Sequence, residues 1–284
     1  MKLRNVPVYL LVMSSLIGAV PTHAAALQAN DLIKGPGDAV YYYAPSLTRY
    51  VFPTYATYAT WYDDFSGIKT LSAEELSSIP IGGSVTFKPG TRLVKVTTDP
   101  KVYAVDSHGV LRWIVSETVA KALYGEQWNT MVSDVPDAFF TNYTIGNPIQ
   151  KAEDFDAVQE QISTATIAQD KGLEAAEFLD GSKTTPVSIS NQETVVVALP
   201  DPGDGGYQFD QSSLIHTGFR LLRTYHVISP ASIMPGDFGK QVWVFQATQE
   251  GTGEITITSS RSWETGKAIE SFHSQFQIVA QHPI

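Results

Sequence analysis

The last hundred or so residues of the chain, 184–284, are written in a two-residue period. Glu254-Ile255-Thr256-Ile257-Thr258 sets isoleucines on one face and polar residues on the other, and Phe276-Gln277-Ile278-Val279-Ala280 does the same. Gln241-Val242-Trp243-Val244-Phe245-Gln246-Ala247 gathers Trp243, Phe245 and Ala247 on one side, with Val242 and Val244 opposite. Successive side chains leave a strand on opposite faces, so this alternation specifies half-buried strands and not helix. Seven such segments can be marked, near 187–190, 194–199, 207–210, 219–228, 241–247, 254–260 and 273–280. Their number and spacing predict an all-β, immunoglobulin-like antiparallel sandwich over 184–284, with Trp243 in its core.

Residues 30–150 are built differently. Val40-Tyr41 is matched by Val102-Tyr103, Arg49-Tyr50-Val51 by Arg112-Trp113-Ile114, Trp61-Tyr62 by Leu123-Tyr124, and Ile81-Gly82 by Ile145-Gly146. Each unit reads as a short hairpin with a turn such as Asp106-Ser107-His108-Gly109, then a helical stretch, then a closing strand. Two similar units packed face to face make one α+β domain. The pattern resembles repeat pairs in exported bacterial proteins. Tyr41, Tyr42, Tyr43, Tyr55, Tyr58 and Trp61 are dense enough either for a carbohydrate- or peptide-binding platform or for the core and rim of the domain. Residues 151–183 turn acidic and rich in Gln and Ala, with weak helical periodicity around Phe155, Val158 and Ile162, and read as a helical or flexible connector.

The first 26 residues read as a signal peptide. Lys2 and Arg4 precede an apolar run from Val6 to Val20, and Thr22-His23-Ala24-Ala25-Ala26 supplies small residues for cleavage near Ala24–Ala26. The run is too short for a permanent span. The expectation is a secreted, periplasmic or cell-surface protein. A net charge of −10 without a basic block argues against nucleic acid and anionic membranes as partners. The absence of cysteine excludes a thiol nucleophile, a thiolate metal site and disulfides. No catalytic or phosphate-binding motif is present, the histidines lack metal-ligand spacing, and neither enzyme activity nor a cofactor is expected.

Three joints between the predicted strands have unusual chemistry: Asp201-Pro202-Gly203-Asp204-Gly205-Gly206-Tyr207, then Pro235-Gly236-Asp237-Phe238-Gly239-Lys240, then Ser260-Arg261-Ser262-Trp263-Glu264. In an immunoglobulin-type sandwich these connections can share one end. The first is far longer than the two residues a hairpin requires. It reads either as a surface turn or as a projecting tool, and it lacks the oxygen-ligand spacing of a calcium loop. Tyr207 fits core and contact equally, and Trp263 fits a core position with Arg261 laid over it.

With these loops on its strands, the domain resembles the chagasin-like inhibitors of papain-like cysteine proteases. That family's pattern is a first loop Asn-Pro-Thr-Thr-Gly-Tyr, a Gly-x-Gly-Gly second loop before a strand ending Phe-x-Ala, and an Arg-Pro-Trp third loop. Here Pro202, Gly206 and Tyr207 match the first, Gly236, Gly239 and Phe245-Gln246-Ala247 the second, and Arg261 and Trp263 the third. The resemblance implies inhibition without chemistry: a monomer inserts three loops into the protease cleft, the first over the catalytic centre and the others gripping either side. Glycines permit close backbone approach, Pro202 limits the ordering cost, and Arg and Trp often dominate interface energy. The departures are an extra residue and Asp204 in the first loop, Phe238 in place of glycine, and Ser262 in place of proline. An added carboxylate near a catalytic thiolate would weaken binding or shift target preference. The alternative expectation is a non-inhibitory surface-binding or adhesion protein that uses the sandwich and the aromatic-rich repeats.

Overall fold

The computed structural model describes residues 27–231, 237–261, 263–264 and 268–280. The expected signal peptide lies outside them. Among the described residues no helix is long and apolar enough to cross a membrane.

The chain begins with two five-stranded sheets. The first holds β1 (Leu32–Lys34), β2 (Val40–Tyr43), β3 (Arg49–Val51), β4 (Lys69–Thr70) and β5 (Ile81–Ser84), with helices α1 (Tyr55–Tyr58) and α2 (Ala73–Ser78). Its order is β4-β1-β2-β3-β5: an antiparallel meander flanked by a parallel strand on each side. The second holds β6 (Leu93–Val96), β7 (Tyr103–Asp106), β8 (Val110–Trp113), β9 (Val132–Val135) and β10 (Thr144–Ile145), with α3 (Glu117–Tyr124) and α4 (Asp137–Phe140). Its order, β9-β6-β7-β8-β10, has the same senses at every pair. The registers differ from the match by residue identity. Tyr41 faces Val51 in one sheet and Tyr103 faces Trp113 in the other, so Val51, not Tyr50, stands where Trp113 stands. Matching the two arginines slips the comparison by one residue, which in a strand exchanges the faces.

Each sheet keeps its own core. Leu32, Tyr42, Phe52, Tyr58 and Trp61 fill the first, and Leu93, Ala104, Ile114, Leu123 and Tyr124 fill the second. Among the described residues no apolar cluster joins the strands of one sheet to those of the other; the two units meet at residues such as Thr57 and Val85 of the first and Val135 and Phe139 of the second. Tyr42, Tyr58 and Trp61 are core residues, which removes half of the supposed aromatic platform, and Tyr41 and Tyr43 are partly buried; Tyr55 alone of the six is largely exposed, beside Phe65.

The connector is helical in part, as one of its two expected readings had it, but it is packed into the structure. It folds into α5 (Ala157–Ser163), α6 (Ile167–Asp170) and β11 (Ala176–Leu179), and residues 164–170 are wholly buried. Phe155 and Ala157 enter the second core, Ile167 and Ala168 the first, and Ile162 and Ala165 pack on the C-terminal sandwich. An apolar residue every few positions goes to a different neighbour, so no single helical stripe results and the periodicity looks weak.

The sandwich contains β12 (Val187–Ser190), β13 (Thr194–Pro200), β14 (Tyr207–Phe209), β15 (Ile215–Thr217), β16 (Phe219–Val227), β17 (Lys240–Ala247), β18 (Gly251–Arg261) and β19 (Ile269–Val279). All seven expected segments form strands, and β15 is added. One sheet runs β11-β13-β17-β16; the other runs β12-β19-β18-β14, with β15 also on β18. The architecture is not purely antiparallel: β11 pairs in parallel with β13, and β12 with β19. Val195, Val197, Leu199, Trp243 and Phe245 interleave with Ile255, Ile257, Phe272 and Phe276 between the sheets, and the Phe209 ring meets Trp243 edge-on at 4.8 Å.

The outer face of the β13–β17–β16 sheet is buried too. Val196, Ala198, Val242 and Val244 pack on Ile162 and Ala165. A strand covered on both sides needs no alternation, which accounts for the continuous apolar run Val195-Val196-Val197-Ala198-Leu199. Polar groups finish this joint. Arg220 reaches Asp31 at 3.1 Å and Gln246 at 2.9 Å, and Asp31 also takes Lys69 at 2.6 Å. Lys88 is fully buried with its Nζ 3.5 Å from the centre of the Tyr225 ring, and burial together with nearby Arg223 holds its pKa well below the usual lysine range.

The connector is also tied to the second unit by Glu160, whose Oε2 accepts the Ser107 N–H at 3.2 Å in the turn after Asp106. Burial and the neighbouring Asp106 push the Glu160 carboxyl up to about 7. A carboxyl with a raised pKa binds its proton more tightly in the folded state, so its stabilising effect is full at low pH and fades as pH rises through about 7. The expected result is a melting temperature that falls from about pH 4.5 to about pH 7 and levels off above. Glu160→Gln flattens that dependence; an equal slope in wild type and variant would remove Glu160 as its cause.

The loop end of the C-terminal sandwich

Two strand pairings bring the three loops together. Pro200, the last residue of β13, lies opposite Lys240, the first of β17, so the first loop leaves where the second arrives. Tyr207, the first residue of β14, lies opposite Arg261, the last of β18, so the first loop ends where the third begins. The first loop therefore crosses the end of the sandwich from one sheet to the other. Packed sheets stand about 10 Å apart, a gap that no two-residue turn spans, and this adds to the reason for its length.

The loop is shaped from within and held from both sides. The Gly203 N–H donates to Asp201 Oδ1 at 2.9 Å, and a short 3-10 turn follows over Gly203–Gly205. The Asp201 N–H donates to the Gly239 carbonyl at 3.0 Å, which joins it to the second loop. His226 adds a second tie: its Nε2–H donates to the Phe238 carbonyl at 2.6 Å and lies 3.6 Å from Asp201 Oδ2. In the second loop the Gly239 N–H donates to Asp237 Oδ1 at 3.1 Å.

Two glycines seat aromatic rings. Gly203 and Gly206 both have φ of +76°, which glycine adopts at little cost. A methyl group on Gly203 would lie 2.5 Å from Cδ2 of Phe238, and one on Gly206 would lie 2.0 Å from Cη2 of Trp263. Phe238 and Trp263 thus rest against the two shoulders of the first loop. Trp263 is 66% exposed and Phe238 37% exposed, so both present apolar surface to solvent. Trp263 is not a core residue, whereas Trp243 is buried.

Arg261 has a different place from the one its residue type suggests. Its Nε donates to the Gly205 carbonyl at 2.9 Å, its Nη1 pairs with Glu264 at 3.0 Å, and its guanidinium lies 4.3 Å from the centre of the Tyr207 ring. It holds the first loop to the third and is not a free anchor for a partner. Tyr207 supports that guanidinium at the loop base. Asp201, Pro202, Gly203, Gly205, Gly206, Tyr207, Asp237, Phe238, Gly239, Arg261 and Trp263 are therefore gathered at one end. The Asp204 backbone follows the same turn. The Asp204 side chain, Gly236 and Ser262 lie outside the described residues. Glu264, the last residue of the third joint, pairs with Arg261, and His226 belongs to the cluster without having been singled out from sequence; it sits in mid-strand pattern, and only the fold brings it to Asp201. Among the described residues no group of His, Asp and Glu side chains is placed to hold a metal ion.

The seating of the indole makes a direct prediction. Gly206→Ala places a methyl where the ring now lies, at a φ that disfavours alanine. The variant is expected to lose about 1 kcal/mol in chemical denaturation and to shift the Trp263 indole N–H resonance, assigned with Trp263→Phe. An unmoved resonance would contradict the packing of Trp263 on Gly206.

Residues 188–278 match the model of the chagasin family of peptidase inhibitors. No curated protein matches the chain. Among solved structures, amebosin is 20% identical, with 37% of this chain and 98% of that one covered and a TM-score of 0.30. The cysteine protease inhibitor EhICP2 from Entamoeba histolytica is 18% identical, with 38% and 97% covered and a TM-score of 0.30. The C-terminal sandwich is chagasin-like over residues 188–278, the segment that holds all three loops.

Proposed function

We propose that this chain is an exported, monomeric, reversible inhibitor of papain-like cysteine proteases, and not an enzyme. The first loop enters the active-site cleft, with Phe238 and Trp263 on the cleft walls at either side. The single observation that carries this reading is Trp263: a large ring, two-thirds in solvent, held in place by a glycine made to receive it. An exposed tryptophan fixed in one position has already lost the freedom that binding would remove. Family membership of residues 188–278 supplies the class of partner. Arg261 acts by holding Gly205, so its loss would loosen the wedge without removing a direct contact. Residues 30–150 are two copies of one unit, supported by their matching strand order, and serve as a module that fixes the sandwich in its setting. The adhesion alternative is disfavoured by the burial of Tyr42, Tyr58 and Trp61.

The test uses the whole mature chain, because an excised sandwich would expose Val196, Val242 and Val244. It is titrated against papain and related cysteine proteases. Submicromolar, reversible inhibition is expected. Trp263→Ala should weaken it by roughly 30-fold, the scale of a hot-spot truncation of about 2 kcal/mol, and Gly206→Glu should abolish it. A folded wild-type chain inert at tens of micromolar against the whole panel would sink the proposal.

A further inference from the structure

The two N-terminal units differ at one equivalent position. In the first, α1 starts after its N-cap Thr54, whose side chain accepts the Thr57 N–H. In the second, α3 starts after its N-cap Ser116, whose side chain accepts the Val119 N–H. The fourth residue after each cap is Tyr58 in one and Ala120 in the other. Tyr58 is buried: its ring stacks on Phe65 at 4.7 Å and meets Phe52 edge-on at 5.0 Å, and its hydroxyl donates to the Asp64 carbonyl at 2.5 Å. In the second unit, where alanine replaces it, there is an open groove of about 300 Å³ lined by Ala120, Ile114, Trp113, Trp128, Lys101 and Glu117, among others. Ile114 stands where Phe52 stands in the strand register. The groove opens beside Ala120 and Ile114, the positions that Tyr58 and Phe52 hold in the first unit.

The groove also adjoins the loop end. The Gly125 carbonyl, at the end of α3, accepts the N–H of Trp128, a groove wall, at 3.1 Å. On its other side, a methyl on Gly125 would lie 3.1 Å from the Pro230 carbonyl, in the segment that leads from β16 into the second loop. A protein engaged by the loops on that side would meet the second unit next.

We infer that this groove is an auxiliary contact site that receives a tyrosine side chain from the surface of the protease held by the loops, in the manner of Tyr58 within the first unit. The inference rests on the inhibitor reading for the identity of the partner. The apolar walls suit the ring, Trp113 is 36% exposed, and Lys101, 5.3 Å from the centre of the Trp113 ring, and Glu117 add charged groups to the lining.

The test has two arms on the full chain. In the first, N-acetyl-tyrosinamide is the probe, and saturation-transfer NMR reads its binding to wild type, to Ala120→Tyr, which closes the groove from within, and to Trp113→Ala, which removes a wall without adding bulk. Binding to wild type and its loss in both variants are expected. In the second, inhibition of the same protease panel is measured: both variants should release the protease about tenfold faster, while Gly206→Glu abolishes inhibition. No probe binding to wild type, or unchanged release rates in both variants beside an inhibitory wild type, would overturn the groove while leaving the inhibitor reading intact. A wild type that inhibits nothing overturns the inhibitor reading, and with it the protease as occupant, whatever the probe does.

Discussion

The structure depends on one sheet being covered on both faces. β13, β17 and β16 meet the rest of the sandwich through Val195, Val197, Trp243 and Phe245, and meet the connector through Val196, Val242 and Val244. Each fully buried valine contributes about 1.5–3 kcal/mol relative to an exposed one, so the outer face alone gives the joint a substantial apolar drive. The polar ring around it, with Arg220 on Asp31 and Lys69 on the same carboxylate, then fixes which face meets which. The chain has no cysteine and therefore no disulfide to staple this joint. The same strands end at Pro200 and Lys240, so the first two loops spring from the most enclosed part of the molecule.

Rigidity at the loop end follows from that anchoring and from a division of labour among residue types. Glycines at positive φ let rings approach the backbone, side-chain carboxylates of Asp201 and Asp237 cap nearby N–H groups, and His226 and Arg261 bind carbonyls of neighbouring loops. Each polar tie is individually modest, about 1 kcal/mol net. Together they hold an apolar surface in a fixed shape, which lowers the entropy that association removes. The replacement of the third-loop proline by Ser262 takes away one backbone restraint; the Arg261–Gly205 and Arg261–Glu264 contacts supply others.

The sandwich was legible because its strands obey a local rule. Period-two runs at 254–258, 241–247 and 276–280 announce strands whatever lies around them, and the clustering of the loops follows from which strand ends adjoin. What was hidden depends on long-range partners. Residues 155–170 distribute single apolar residues to three different cores, so neither a stripe nor an alternation marks them as structural. Tyr42, Tyr58 and Trp61 are amphipathic enough to suit a surface or a core, and only the fold decides. Arg261 was legible as important but not in its role, because residue type does not reveal that its donors are used internally. The repeat was visible in residue identity, yet the identity match at Arg49 and Arg112 was out of register with the strands by one position.

The N-terminal half is therefore no detachable passenger. Gly239 approaches the Val227 carbonyl so closely that a methyl there would lie 2.3 Å away, which pins the near end of the second loop to β16. The segment from β16 onward then leans on Gly125 of the second unit. β16 itself is fastened to the first unit through Arg223 and the Trp61 carbonyl, and to the connector through the Tyr225 hydroxyl and the Gln161 carbonyl at 2.8 Å. A strand with one end in the loop site and its middle bonded to both N-terminal elements transmits a shift in either to the other, because packed cores resist gradual deformation. The geometry of the second loop is thus a property of the whole chain, and the inhibitor-like sandwich here has been built into a larger frame that shapes it.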